Sequence, residues 1–390
     1  MKVTIEEVRG KRQLKQFIHF PEKLYKGNPN WVPALIADEY AALGPGNPSL
    51  EFCESACFLA RDEKGEIVGR VAAIINHKAN EQWNTRTVRF GWIDFIDSLE
   101  VCKALTDTVA DWGLKRGMTT IKGPLGFTDM DKEGLLVEGF ENMSPFTCIY
   151  NYPYYGEYLE AVGFVKDTDW IQRLVTLPPE PPEFFRLAEV VEQRYGLHIF
   201  RPKNRKELKS KAVELFHVLN AAFVNIYEFS QLTEKQINLY INQYFPLVNK
   251  DFICMILDKN EKVVGFAITV PSIAKAIRKS RGRLFPFGWI RILWALNHNK
   301  LVEAMLVGAA PENQGNGANV MILKDMQLVA MKYGIRKMIT NPQLETNTRA
   351  ISMFGKYYEM EPYMRRRCYV RSTAAASVSS SGESSASAKG

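Results

Sequence analysis

The sequence predicts a mixed α/β protein made of two tandem copies of one unit, and three observations carry that prediction. Two strand-like hairpins recur with matching turn residues, Asp62 to Val68-Gly69 in the first half and Asp258 to Val264-Gly265 in the second, at the same Asp-to-Gly offset. Two late helices open on Asn151 and Asn347, each 82 residues after its hairpin glycine (69 to 151 and 265 to 347). The order of elements repeats on either side of Pro178-Pro179-Glu180-Pro181-Pro182, a stretch too proline-rich for a helix interior or a central strand. The halves are therefore read as residues 1–177 and 185–371, with 178–184 a stiff linker. Residues 372–390, rich in Ser and Ala with a single Glu and a single Lys, are read as a disordered tail.

In chain order, residues 2–9 alternate like a strand, and Lys11–Tyr25 reads as a helix with Leu14, Phe17, Ile18 and Leu24 on its apolar face. A short helix around Ala34–Leu43 follows, and then a hairpin that turns at Glu63-Lys64-Gly65. Thr87–Ile96 reads as a strand, and Glu100–Arg116 as an amphipathic helix stopped by Gly117, with Asp97 or Ser98 as its cap. Thr119–Gly123 is a short strand before an acid-rich loop; Asn151–Phe164 is a helix and Trp170–Leu177 the last strand of the half. After the prolines, helices are expected over Arg205–Asn225 and Thr233–Phe245 and a hairpin over Phe252–Leu257 and Lys262–Val270. Next come a strand Leu301–Ala310, a helix ending at Gly334, a strand Ile335–Thr340, a helix Thr348–Tyr357 and a strand near Tyr363–Arg371.

Composition narrows the function. A hydrophobic share of 46% and a charged share of 24% describe an ordinary globular chain of 390 residues. The net charge of +7 comes partly from local runs at Arg278–Arg283 and Arg365–Arg367. That pattern suits an anionic cofactor or an anionic lipid surface, and not a nucleic-acid groove. Cysteines 53, 57, 102, 148, 254 and 368 form no CxxC pair, so neither a metal site nor a disulfide framework is expected and a reducing compartment is the default. The N-terminus has no signal-peptide core, and no run of about 18 apolar residues is present, so a cytoplasmic location is expected.

The chemistry concentrates in Leu301–Gly334. An apolar strand breaks at Pro311, passes through Gln314-Gly315-Asn316-Gly317-Ala318-Asn319 and becomes a helix. Strand, glycine turn and helix in that order make an anion site, because the first-turn N–H groups point outward and the helix dipole favours negative charge. The sequence lacks the Gly-Lys-Ser/Thr of a Walker A loop, and Val320 stands where Gly-x-Gly-x-x-Gly needs its last glycine.

This loop resembles the coenzyme A loop of the GNAT superfamily of acyl-CoA N-acyltransferases, Gln/Arg-x-x-Gly-x-Gly/Ala after a Pro-Glu step. Pro311-Glu312, Gln314 and Gly317 match, and Asn319 departs from the pattern in the last place. The string Asn347 to Phe354 resembles the superfamily's Asn-x-x-Ala-Ile-x-Leu-Tyr helix, except that Phe354 replaces the proton-donating Tyr. A longer likeness, from Phe17 to about Arg371, runs through NPNWVPAL, EIVGRVAAIINHKANE, YNYPYYGEYLEAVGF and GRLFPFGW. It is to a bacterial family of tandem GNAT-like proteins that includes bacterial ceramide synthases, which transfer a fatty acyl group to the amine of a sphingoid base.

The resemblance implies two GNAT-like domains and an acyl-CoA co-substrate, with no metal. The N–H groups of residues 315–320 would hold the pyrophosphate: Gly315, Asn316, Gly317, Ala318, Asn319 and Val320. Gln314, Asn347 and the strand residue Val307 would lie beside the cofactor. A bulky residue at Gly317 should then remove CoA binding and leave the fold intact. Glu303 is the implied base or else an exposed strand-edge charge, and Tyr158, at the matching place in the first half, is a candidate acid or else a packing residue on its helix. The first half has no glycine loop and is read as not binding CoA. His77, in a polar stretch after a strand, is a solvated side chain or a catalytic one. The favoured acceptor is a long-chain amine. The rivals are a small-molecule N-acetyltransferase using acetyl-CoA and a non-catalytic acyl-CoA-binding protein.

One stretch stands where the single-domain GNAT proteins that this chain resembles usually have a short turn: AKAIRKSRGRLFPFGWIRILWALNHNK. Five positive charges, Lys275 and those of Arg278–Arg283, precede a run of aromatic and aliphatic residues through Leu296. Residues 275–297 therefore read either as an interfacial segment touching a membrane surface or as a helix folded onto the protein's own core.

Overall fold

The structure, a computed structural model, describes residues 1–245 and 249–374. In chain order the elements are β1 (Thr4–Glu7), α1 (Gly10–Leu24), α2 (Ile36–Leu43), β2 (Cys53–Arg61), β3 (Ile67–Asn76), α3 (His77–Gln82), β4 (Thr87–Phe95), α4 (Leu99–Leu114), β5 (Thr120–Gly123), β6 (Leu135–Glu138), α5 (Tyr154–Ala161) and β7 (Val165–Thr176). They continue with α6 (Phe184–Tyr195), β8 (His198–Phe200), α7 (Arg205–Phe223), α8 (Glu234–Tyr244), β9 (Ile253–Leu257), β10 (Val263–Pro271), α9 (Ala274–Ser280), α10 (Gly288–His298), β11 (Leu301–Ala309), α11 (Ala318–Tyr333), β12 (Lys337–Ile339), β13 (Gln343–Leu344), α12 (Thr348–Gly355) and β14 (Met360–Ser372). The expected mixed α/β order holds in both halves. The sequence pattern had no signal for α3, β6, α6 or β8.

The chain forms two compact units, and they cut across the halves read from the sequence. One unit is residues 1–170 with Arg281–Arg283 and the chain from Met364; the other is Ile171–Ser280 with Leu284–Tyr363. Strand pairing is the reason. Leu174, Val175 and Thr176 of β7, counted with the first half, pair with Ile339, Met338 and Lys337 of β12. Tyr369–Ser372 of β14, counted with the second, pair with Gly123–Thr120 of β5. The linker expected at 178–184 lies inside the second unit, where Leu177 and Phe184 are buried in its core.

In the first unit the strand order is β1-β2-β3-β4-β5-β14. One face of this sheet packs on α4 and α5 through Val101, Leu105, Val109, Tyr155 and Leu159; the other packs on α1 through Phe17 and Ile18. Helix α4 starts at Ser98, whose side chain accepts the Val101 N–H, so Ser98 is the cap. Asp169 on β7 is clamped by Arg365 and Arg367 of β14 at 3.0 and 2.9 Å. Burial raises its carboxyl, but the hydrogen bonds from Arg367, Arg365 and Lys166 outweigh that and hold it below the usual carboxylate range.

In the second unit the order is β7-β12-β11-β10-β9-β8. Helix α11 covers one face with Met321, Ile322, Leu323 and Ala330, and α6 packs on it through Val191. Helix α7 lies against β10 and β11. The caps are legible: Asn204 accepts from Glu207 N–H, Thr233 and Gln236 form a reciprocal capping box, and Gly334 ends α11 in the left-handed region at φ 63°.

Candidate functional site

The site is built on a strand that its neighbour leaves. Along one edge β11 pairs antiparallel with β10 from Val302 to Ala309, with a bulge between Ile268 and Thr269 that leaves Met305 as the extra residue. Along the other edge only Leu301, Val302 and Glu303 pair, in parallel, with Lys337, Met338 and Ile339. From Ala304 to Ala309 that second edge meets no partner strand among the described residues. The two strands fork at Glu303. The open edge is about 20 Å long at strand rise and includes Val307 at its middle.

At the far end of the open edge the chain turns into α11. Gly315 and Gly317 have φ of +105° and +83°, a backbone that places successive N–H groups on the outer side of the turn. Val320 and Met321 N–H bond back to Gly317 O, and Asn316 N–H bonds Asn313 O. The N–H groups of Gly315, Gly317, Ala318 and Asn319 have no acceptor among the described residues, and α11 has no side-chain cap. Of the residues expected around a pyrophosphate, Gly315, Gly317, Ala318 and Asn319 thus present donors, whereas Asn316 and Val320 have theirs taken. Gln314 is exposed and its Nε2 donates to Ala309 O at 3.2 Å, tying the loop to the strand end. Asn319, the departure from the motif, carries an exposed side chain.

Gly317 has a second role. A Cβ there would lie 2.5 Å from Val191 Cγ2 on α6, whereas a Cβ at Gly315 meets nothing within 4 Å. A bulky residue at Gly317 therefore disturbs the α6–α11 packing, contrary to the expectation that the fold would be untouched. Gly315 is the cleaner probe of the loop.

Glu303 is at the base of the fork and is 2% exposed, not a solvated edge charge. Ser272 Oγ donates to its Oε1 at 2.5 Å. Glu303 stands opposite Val270 in the ladder, so both side chains project to the same face of the sheet. Ser272 carried no signal in the sequence; only the closing of β10 against Leu301 brings it there.

Asn347 accepts the Ile351 N–H at 3.1 Å through its carbonyl and so starts α12. Phe354, at the place of the superfamily's tyrosine, is 1% exposed and packs under α11. The void beside it, among Leu177, Leu323, Met326 and Tyr358, holds about 10 Å³, room for about one water.

The first unit has the same fork, closed. β4 and β5 pair only at Thr87–Arg89 with Thr120–Lys122. Beyond them Phe90 O accepts Leu125 N–H at 2.9 Å. Ile96 N–H reaches Val68 O on the β3 side, so Phe95 presents its own N–H and C=O to the other edge. There Tyr155 Oη accepts the Phe95 N–H at 2.9 Å and Tyr154 Oη donates to Phe95 O at 2.8 Å. Tyr155 Oη also meets Tyr25 Oη at 3.0 Å, and Tyr25 donates to Asp94, which Arg70 holds at 2.8 Å. Burial pushes both tyrosines well above the ordinary phenol range. The aromatic string YNYPYYGEY was the sequence signal for this plug.

Tyr158 belongs to this first unit and donates to Asp97 Oδ1 at 2.6 Å. That hydrogen bond raises its pKa, which makes it a poorer proton donor. His77, also in the first unit, is an exposed partner of Glu54 at 2.9 Å.

No family model matches the sequence. The chain is 29% identical over 371 residues to protein YghO of Escherichia coli, covering 92% of this chain and 93% of that one. It is 25% identical over 353 residues to the bacterial ceramide synthase of Caulobacter vibrioides, covering 88% of this chain and 91% of that one. Among solved structures it is similar to a tandem GNAT protein from the clavulanic acid biosynthesis pathway, with TM-score 0.52 and 12% identity over 95% of this chain and 99% of that one. It is also similar to a GCN5-related N-acetyltransferase from Sphaerobacter thermophilus, with TM-score 0.51 and 11% identity over 95% and 96%.

Proposed function

From the tandem GNAT fold of this chain, we propose that it is an acyl-CoA-dependent N-acyltransferase that forms an amide on a primary amine, with a long-chain, sphingoid-like amine favoured as acceptor. The observation that carries this reading is the open β11 edge ending at a crown of four N–H donors, with a buried carboxylate at the fork. In this reading the crown binds the CoA pyrophosphate, with Gln314 and Asn347 beside the cofactor. The amide-bearing pantetheine arm extends along Ala304–Ala309, past Val307. The thioester carbonyl is then brought toward Glu303. The amine nitrogen attacks that carbonyl, the C–S bond breaks, and the excess proton on nitrogen passes to Glu303, directly or through water. Ser272 orients the carboxylate. The departing thiolate takes a proton from solvent.

The first unit does not hold CoA in this reading, because Tyr154, Tyr155 and Leu125 occupy the edge the arm would use. The long-chain acceptor is supported by the likeness to a bacterial ceramide synthase and by the apolar surface of α10. A cytoplasmic enzyme acting on such an amine works at the inner face of a membrane.

The test is a thermal-shift series with CoA, acetyl-CoA and palmitoyl-CoA, followed by amide formation with a sphingoid base and with a small amine, using wild type and Glu303→Gln. A ligand at 100 times its dissociation constant adds about 2.7 kcal/mol to stability. Glu303→Gln keeps an acceptor for Ser272 and should bind palmitoyl-CoA normally while losing about 10²–10⁴-fold in kcat. Absence of any shift defeats the loop assignment. An equal or larger shift with acetyl-CoA, with turnover of the small amine, favours the acetyltransferase. Binding without turnover of any amine favours the acyl-CoA-binding protein, a reading the buried Phe354 supports.

A further inference from the structure

Helix α10 is folded with its large side chains outward. Only Gly288 and Ala295 of its eleven residues are buried. Trp289, Ile290, Leu293 and Trp294 are 45, 48, 44 and 63% exposed, and Phe285 and Phe287 just before them are 80 and 62% exposed. The spacing i, i+1, i+4, i+5 puts the four helical residues on one face. A patch of this kind on an otherwise polar surface marks a partner. Of the two alternatives for residues 275–297, packing onto the protein holds for α9, where Ala276 and Ile277 are buried, but not for the large side chains of α10.

The charges around it name the partner. Residues 272–302 contain seven Lys and Arg and no Asp or Glu. Lys275, Lys279 and Arg291 are exposed, while Arg283 is held by Glu22 at 3.0 Å. Trp289 Nε1–H donates to Pro286 O at 3.1 Å, so its ring enters an apolar layer with its polar atom already bonded. Eleven helical residues rise about 16 Å, half an apolar bilayer core, and no helix among the described residues is long and apolar enough to cross one. Such an element lies in the interface plane.

Beneath α10 is a groove of about 390 Å³ lined by Leu293, Leu296, Val270, Pro271, Arg205 and Lys250. Val270, which stands opposite Glu303 in the ladder, lines this groove together with Pro271, so the groove lies at the end of β10 that meets the candidate base.

We propose that Phe285–Trp294 inserts into the surface of an anionic bilayer and that the amine acceptor passes from the lipid into the groove under α10. The docking stands apart from the chemistry; the route rests on the N-acyltransferase reading. The experiment is flotation of the full chain with phosphatidylcholine vesicles, with and without about a third phosphatidylglycerol. Wild type should float with the anionic vesicles. Phe285→Glu with Trp294→Glu, or Lys275→Glu with Lys279→Glu, should cut the bound fraction at least about tenfold. The palmitoyl-CoA thermal shift should be unchanged, and turnover of a sphingoid base in vesicles should fall. Failure of wild type to float, or flotation of the Phe285/Trp294 variant like wild type, overturns the docking and leaves the CoA reading standing. A wild-type dimer in sedimentation that the same substitutions dissociate overturns it in favour of a second copy. Flotation as expected with no turnover of any amine defeats the route and the enzyme, while the docking survives.

Discussion

Gly317 lets the loop reading be tested against simple packing. Alanine at Gly317 must adopt φ +83°, at a cost of about 1–2 kcal/mol for a side chain in the left-handed region. Its Cβ must also displace Val191 Cγ2 and Cγ1 from 2.5 and 2.8 Å, an overpacking that costs about 1–3 kcal/mol. Loss of unfolded-chain entropy returns about 0.4–1 kcal/mol. The net loss is about 1–5 kcal/mol. Gly315→Ala at φ +105° faces the same kind of strain with no overlap, and should lose only about 0–1.6 kcal/mol. Denaturant unfolding without ligand checks both. Val191→Ala removes the overlapping methyls, so the double variant Gly317→Ala, Val191→Ala should recover about 1–2 kcal/mol relative to the sum of the singles. Calorimetric titration with CoA supplies the second axis: Gly315→Ala, nearly as stable as wild type, should still bind at least about tenfold more weakly, a change of about 1.4 kcal/mol. Equal stability of the two glycine variants, or strict additivity with Val191→Ala, would refute the packing account. Wild-type CoA affinity in Gly315→Ala would refute the anion-site account.

Two further outcomes follow from the same geometry. Tyr155→Phe leaves the Phe95 N–H without its acceptor in a buried site and should cost about 1–3 kcal/mol in unfolding, with CoA affinity unchanged; a changed affinity would place CoA in the first unit. Phe354→Tyr, which supplies the tyrosine of the motif this helix resembles, puts a hydroxyl into an apolar core with room for about one water, and should lose about 1–3 kcal/mol with no gain in kcat; a raised kcat would show that the ring can swing out to the thiolate.

What the sequence made legible is what local pattern encodes. The strand, Pro311, the two glycines and the periodic helix to Gly334 all depend on near neighbours, and they fold as read. Partner choice does not. Nothing in Trp170–Leu177 or Tyr363–Arg371 distinguishes pairing with its own half from pairing with the other, because an apolar strand fits any edge with matching alternation. Three-residue β8 is too short for a period to show, and α6 follows so closely on the prolines that its start was taken into the linker. Phe354 could be identified as a missing acid from the string alone, but its burial required the helix α11 above it. Glu303 shows the limit most sharply: its position at the start of the strand was readable, whereas its burial rests on partners far along the chain, Ser272 on one side and Ile339 of β12 on the other.

On the proposed reading, the two forks also explain why one duplicated fold would carry a single cofactor site. A parallel pair that diverges leaves backbone N–H and C=O groups that must find partners or remain in water. In the first copy Leu125, Tyr155 and Tyr154 bond Phe90 O and the Phe95 N–H and C=O from within the chain, and Ser98 accepts the Val101 N–H at the start of the following helix. In the second copy glycine stands at the cap, the side chain at 354 is a phenylalanine turned into the core, and both the edge and the crown stay open. A ligand with amides along its length and a dianion at its end satisfies both together. An isolated phosphate would satisfy only the crown and an apolar molecule neither, so the pairing of edge and crown selects for a long, amide-bearing phosphate ester over any of its fragments.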